Sequence, residues 1–210
     1  MAYLALIRHG KSTYNEKGLW AGLTDVPLTK DGEEEAKNAG EAIKDIPFAV
    51  SFTSRLQRAQ KTLEIIKKSI NNTSLPTTES EALNERDYGD LAGKNKWEMK
   101  EELGEELFLK YRRSWDFPPP NGEALKQVYE RVIPYYKEII LPYLTQGKNV
   151  LIAAHGNSLR ALVKYLENIP DDEISKLEIG TGEVYLYDIN PQGEMISKEI
   201  RSVNENKANV

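Results

Sequence analysis

Three short apolar runs set the terms of the fold: YLALI at residues 3–7, FAVSF at 48–52 and NVLIAA at 149–154. Such runs are too short to be core helices and are apolar at almost every position, so as strands they would have no face for water. A sheet built from them must be covered on both sides, which a largely parallel sheet with helical crossovers achieves. The intervening segments suit that role. Thr29 can cap a helix running to about Ile46 and stopped by Pro47, with Ala36, Ala39, Gly40 and Ile43 on one face. A second helix is expected from about Leu56 to Ile70, ended by Asn71-Asn72.

Further on, a long helix is expected from about Glu123 to Leu144, kinked at Pro134 and Pro142, and another over residues 158–168. Residues 77–80 can form a short strand, and 183–189 with 195–200 read as a closing pair of strands around Asn190-Pro191-Gln192-Gly193. Segments 11–28 and 82–96 have no helical or strand period. Two helical pieces follow, up to Trp115, before Pro118-Pro119-Pro120 breaks the chain. The expected architecture is one α/β domain over residues 1–210, a mostly parallel central sheet with helices on both faces. The last residues, NENKANV, are expected to form a mobile tail.

Composition narrows the function. No run of 18 apolar residues is present, so no membrane span is expected. The N-terminus has no basic segment and its apolar run is too short for a secretory leader. Cysteine is absent, which removes disulfides, thiolate metal sites and thiol nucleophiles and suits a reducing cytoplasm. A net charge of -5 argues against general affinity for nucleic acid.

The chain has only two histidines, His9 and His155, and each follows an apolar run and precedes a glycine. In a parallel sheet, ligands bind at the carboxyl ends of strands, so both imidazoles are expected on one rim. Two unrelated loop histidines would not account for the repeated frame. A metal site would need a third ligand, and neither histidine has helical ligand spacing to another. A histidine nucleophile for phosphoryl transfer is the third reading. It needs cations around the transferred group: Arg8 adjoins His9, Arg58 opens a helix, and Asn157 and Ser158 open the helix after His155.

The segments LIRHGKSTYN, GLWAGLTDVPLTKDGEEEA, TSRLQRAQKTL, LNERDYGDLAGKNK, YRRSWDFPPP and VLIAAHGNSLRALV resemble, in order, the motifs of the bisphosphoglycerate-dependent phosphoglycerate mutases of the histidine phosphatase superfamily. The resemblance spans nearly the whole chain. It implies a phosphoglycerate mutase-like fold and interconversion of 3-phosphoglycerate and 2-phosphoglycerate in the cytoplasm. The reaction would be primed by 2,3-bisphosphoglycerate without a metal. A phosphatase of the same superfamily is the alternative.

By the same resemblance, His9 is the nucleophile, and Arg8, Arg58 and His155 surround the phosphoryl group. Glu85 exchanges the substrate proton. Ser12, Asn15, Ala21, Gly22, Arg86, Tyr88, Lys96, Arg112, Arg113, Gly156 and Asn157 fall at substrate-binding positions. The chain departs from the family pattern at Lys11 (usually Glu), Ala21 (usually Thr) and Asp87 (commonly His). After Pro120 it runs directly into Asn121-Gly122-Glu123, where many relatives carry an insertion; a monomer or a homodimer is expected.

Overall fold

A computed structural model describes residues 1–202; the expected tail lies outside the described residues. Six strands form one sheet: β1 (Ala2–Arg8), β2 (Phe48–Thr53), β3 (Thr77–Glu79), β4 (Asn149–Ala154), β5 (Val184–Ile189) and β6 (Met195–Ser202). Their order is β3-β2-β4-β1-β5-β6. The first four run parallel, and the closing pair β5–β6 joins β1 antiparallel.

Alternation along each strand divides the core. Leu4, Leu6, Val150 and Ile152 face one layer, formed by α6 (Leu125–Tyr135) and α8 (Gly156–Leu166) through Val128, Val132, Leu159 and Leu162. Ala5, Ile7, Leu151 and Ala153 face the other, where α2 (Lys30–Glu41) and α3 (Gln57–Ser69) supply Ala39, Leu63 and Ile66. Strands buried on both faces explain the unbroken apolar runs. Each fully buried Leu, Ile or Val side chain contributes about 1.5–3 kcal/mol.

Four boundaries differ from expectation, each for a local reason. The segment 11–28 contains a one-turn helix, α1 (Thr13–Glu16), held by a capping box between Ser12 and Asn15. Helix α2 stops at Glu41 and the chain passes through turns to Pro47, whose ring disfavours helical backbone just before it. The helix expected over residues 123–144 is three pieces: α6, a wider π turn (Tyr136–Ile140), and α7 (Leu141–Thr145), in whose first turn Pro142 falls. Pro134 has no N–H to continue the ladder in α6, whereas a proline in a first helical turn leaves no bond unmade. Helix α8 starts at Gly156 rather than 158, because Ser158 Oγ accepts the His155 backbone N–H at 3.2 Å and makes His155 the cap.

The two pieces before the prolines are α4 (Lys96–Leu103) and α5 (Glu105–Arg113). With the loops around Trp20 and Leu91 they form a separate apolar cluster of Trp20, Leu91, Met99 and Phe108, standing over the sheet rim.

Candidate active site

Strand register brings the histidines together. Arg8 pairs with Ala154 across β1 and β4, so His9 and His155 leave the sheet side by side, their ring centroids 5.0 Å apart and edge to face. His9 Nδ1 lies 2.7 Å from the Gly10 carbonyl oxygen. A carbonyl only accepts, so Nδ1 carries the proton of the neutral ring and Nε2 keeps its lone pair. Burial, then Arg58 and Arg8, hold the His9 pKa well below the usual imidazole range. The ring is therefore neutral at pH 7.

Burial likewise holds His155 low, with Arg58, His9 and Arg8 adding to it. Its Nε2 sits 2.7 Å from Ser54 Oγ, which also accepts the Leu56 N–H at 3.1 Å. If the serine proton goes to Nε2, the His155 proton lies on Nδ1, a buried atom with no protein hydrogen-bond partner. Ser54 follows β2 directly, at the same rim as both histidines. Sequence reasoning missed it; its place just past a strand end was the available signal.

Arg58 is fully buried in α3, and two of its nitrogens donate to the Thr24 and Gly22 carbonyls at 2.9 and 2.8 Å. Burial lowers its pKa to about 10, which leaves it cationic at neutral pH. Arg8 donates to the Ile179 carbonyl at 2.7 Å. Arg8 Nε, Arg58 Nε and Trp20 Nε1 are buried without a hydrogen-bond partner. Orphaned donors of this kind cost about 1–3 kcal/mol each unless an acceptor arrives.

Glu85 is buried, and its Oε1 accepts from the Arg86 N–H at 2.8 Å, the Asn157 N–H at 3.1 Å and Asn157 Nδ2 at 3.0 Å. Oε2 is left toward Gly156, where a Cβ would stand 3.7 Å from it and 3.6 Å from Arg8 Nε. Glycine keeps that gap open. The Asn157 side chain also donates to Tyr88 Oη at 3.0 Å.

Two adjoining cavities share Arg8, Trp20, Glu85, Tyr88 and Lys96. One holds His9, Asn15, Ala21, Gly22 and Arg58; the other holds Arg112, Arg113, Gly156, Asn157, Arg160 and Glu178. The unpatterned loops thus pair to make a wall: the Lys96 N–H donates to the Gly18 carbonyl at 2.9 Å and the Gly93 N–H to the Trp20 carbonyl at 2.8 Å. Burial, with Arg112 and Arg8 beside it, lowers Lys96 to about 7.

Not every residue implied by the motifs lines the cavities. The Ser12 hydroxyl is engaged with Asn15 Oδ1 at 2.8 Å, so its work is to cap α1. Arg86 is fully buried beneath the wall, donating to the Tyr111 and Arg112 carbonyls at 2.8 and 3.1 Å and stacking on Tyr88 at 4.6 Å. Arg86 thus positions the arginine pair of α5.

Arg160 and Glu178 line the second cavity and went unnoticed in the sequence. Arg160 donates to Asn157 Oδ1 at 2.9 Å and holds it in place. Of the departures, Ala21 falls on the His9 cavity, whereas Asp87 caps the Gly89 N–H at 2.8 Å and Lys11 lies 3.8 Å from Asp31.

The profile of the histidine phosphatase superfamily (branch 1) matches residues 4–201. The 2,3-bisphosphoglycerate-dependent phosphoglycerate mutase of Parvibaculum lavamentivorans is 47% identical over 199 residues, covering 94% of this chain and 95% of that protein. The chain belongs to that superfamily, among its phosphoglycerate mutases. The phosphoglycerate mutase of Schizosaccharomyces pombe is 48% identical over 199 residues, 94% of each chain.

Solved structures of other proteins share the fold. An α-ribazole phosphatase from Shigella flexneri superposes with a TM-score of 0.80 at 28% identity, over 95% of this chain and 96% of its own. A phosphoglycerate mutase from Bacillus anthracis does so at 0.73 and 23% identity, over 96% and 92%. The described helices include none long and apolar enough to cross a membrane.

Proposed function

We propose that this chain interconverts 3-phosphoglycerate and 2-phosphoglycerate through a phosphorylated His9, in the cytoplasm, as a monomer or homodimer with each site drawn from one chain. The observation that carries the reading is His9 itself: a neutral ring whose Nδ1–H is tied to a carbonyl, with its Nε2 lone pair available beside Arg8, Arg58 and His155.

The cleft suits a small polyanion carrying phosphate and carboxylate. Orphaned donors on Arg8, Arg58 and Trp20, and the gap kept by Gly156, fit such a group at the His9 end. Bisphosphoglycerate, when bound, supplies the phosphoryl group that primes His9. Nε2 attacks phosphorus, and the N–P bond forms as the P–O bond breaks. Glu85 passes to the departing oxygen the proton it takes from the acceptor hydroxyl in the other transfer, so its carboxylate is restored at each turnover. In the reverse transfer Glu85 takes the proton of the acceptor hydroxyl as that oxygen recovers the phosphoryl group.

Arg8, Arg58 and His155 Nδ1–H meet the charge on the equatorial oxygens; one such donor is worth about 10²–10³-fold in rate. Arg112 and Arg113, at the far end, grip the carboxylate, keeping the substrate in place between the two transfers. Trp20, Tyr88 and Phe108 pack edge to face over the cleft and limit water.

A phosphatase would share the same first step, so the deciding assay compares products. Turnover of 3-phosphoglycerate should require added 2,3-bisphosphoglycerate, survive a metal chelator and yield 2-phosphoglycerate. Labelled primer should leave acid-labile, base-stable label that is absent from His9→Ala. Phosphate as the main product, or label persisting in His9→Ala, would overturn the proposal.

A further inference from the structure

Glu178 has no role in the chemistry above, yet its carboxylate projects into the cavity that the cationic pair lines. Its Oε1 lies 2.7 Å from Arg113 Nη2 and 3.8 Å from Arg112 Nη2. All three side chains are mostly shielded, at 23%, 19% and 15% exposure, so the pairing is stronger than a surface ion pair. The carbonyl of the next residue, Ile179, accepts from Arg8. One dipeptide therefore engages cations at both ends of the cleft. We propose that Glu178 is an internal stand-in for the substrate carboxylate, occupying the Arg112–Arg113 clamp in the free protein and yielding it when the substrate binds.

The inference rests on the proposed function, because it takes the ligand to be a phosphorylated hydroxy acid. An empty clamp would leave two adjacent guanidiniums repelling each other in a shielded site. Burial and the Arg113 charge already lower the pKa of Arg112. Glu178 relieves that repulsion and holds the end of α5 against the 177–183 loop. The cost falls on binding: an arriving carboxylate must displace a carboxylate, so affinity is held down and product leaves more readily.

Removing the competitor should therefore tighten only those ligands that use the clamp. A hydrogen bond to a charged group is worth roughly 1.5–3 kcal/mol, or about tenfold or more in affinity. The test is calorimetric binding of 3-phosphoglycerate and of inorganic phosphate to the parent, Glu178→Gln, Arg113→Ala and the double variant. Glu178→Gln should bind 3-phosphoglycerate about tenfold tighter and lower its KM without raising kcat. It should leave phosphate affinity unchanged, since phosphate is held at the His9 end. The gain should vanish in the Arg113→Ala background.

Glu178→Asp, which keeps the charge but shortens its reach, should tighten 3-phosphoglycerate by a smaller factor and serves if the glutamine variant fails to fold. Unchanged or weaker 3-phosphoglycerate binding in these variants, or an equal gain for phosphate, would overturn the proposal. A parent that binds no 3-phosphoglycerate at all would sink the functional reading as well.

Discussion

At the scale of single residues, the site depends on where two imidazole protons sit. Gly10 settles the matter for His9, because a carbonyl accepts and nothing else. For His155 it falls to Ser54, whose hydroxyl holds Nε2 at 2.7 Å. Ser54→Ala should free that ring to change tautomer and lose its donor toward the phosphoryl group. We expect kcat to fall about tenfold, less than outright loss of the donor because the freed ring still samples the productive tautomer, with little change in KM. Steady-state kinetics check this, and full rescue by Ser54→Thr would tie the loss to the hydroxyl. Glu85→Gln keeps the acceptor for the Asn157 and Arg86 N–H groups but cannot pass a proton. Its kcat should fall about 10²–10⁴-fold at nearly constant KM, and near-parental kcat would show that another group moves the proton. The histidines were legible because each ends an apolar run. Ser54 and Glu178 were not, because His155 and Arg113, their partners, lie far away in sequence; Arg160 was not, because an arginine three residues after Asn157 on a helix reads like any surface arginine.

At the scale of elements, rim and lid do different work. Arg58 comes from α3, anchored in the sheet layer, whereas Arg112 and Arg113 come from the end of α5, in the smaller cluster over the rim. Arg58→Ala should depress mutase and bisphosphatase activities together, because it acts on the transferred group. Arg113→Ala should lose mutase activity more, raising the phosphatase share as substrate escapes between transfers. Both activities measured on the same preparations decide it; a parallel fall in Arg113→Ala would remove the clamp role.

The core elements could be read from periodicity, since strands and helices that bury a face must repeat. The walls could not. Residues 11–28 and 82–96 pair with each other through backbone hydrogen bonds, which leave no period in the side chains. Only motif resemblance pointed to them. The short path after Pro120 has a physical basis in the same loops. The Asp90 N–H donates to the Pro120 carbonyl at 3.0 Å and the Glu123 N–H to the Asp87 carbonyl at 2.9 Å. Gly89, at φ +51°, lies so close that a Cβ would come within 2.1 Å of the Pro120 oxygen.

At the scale of the whole molecule, an acidic chain keeps its cleft cationic. The net charge is -5, yet six Lys and Arg side chains line the two cavities around Glu85, with Arg58 at the phosphoryl end. That arrangement makes the protein sensitive to pH through very few groups. His9 and His155 are held neutral by burial, their folded pKa values well below the usual 6.5. The unfolded chain therefore binds more protons than the folded one once pH drops through 6.5. For such depressed groups, the stability is fully present above 6.5 and is lost as pH falls toward the folded values. Each histidine contributes a slope of up to about 1.4 kcal/mol per pH unit. Between about pH 5 and 6 little else intervenes: carboxylates titrate mainly lower, and Lys96, lowered to about 7, is protonated in both states. Since these are the only two histidines in the chain, that window belongs to them. Urea unfolding at a series of pH values should show stability falling toward pH 5 by nearly twice the single-group slope, and His155→Asn should halve it. A pH-independent unfolding free energy across that window would mean that both rings accept protons in the folded state, and that His9 is not held as a neutral nucleophile.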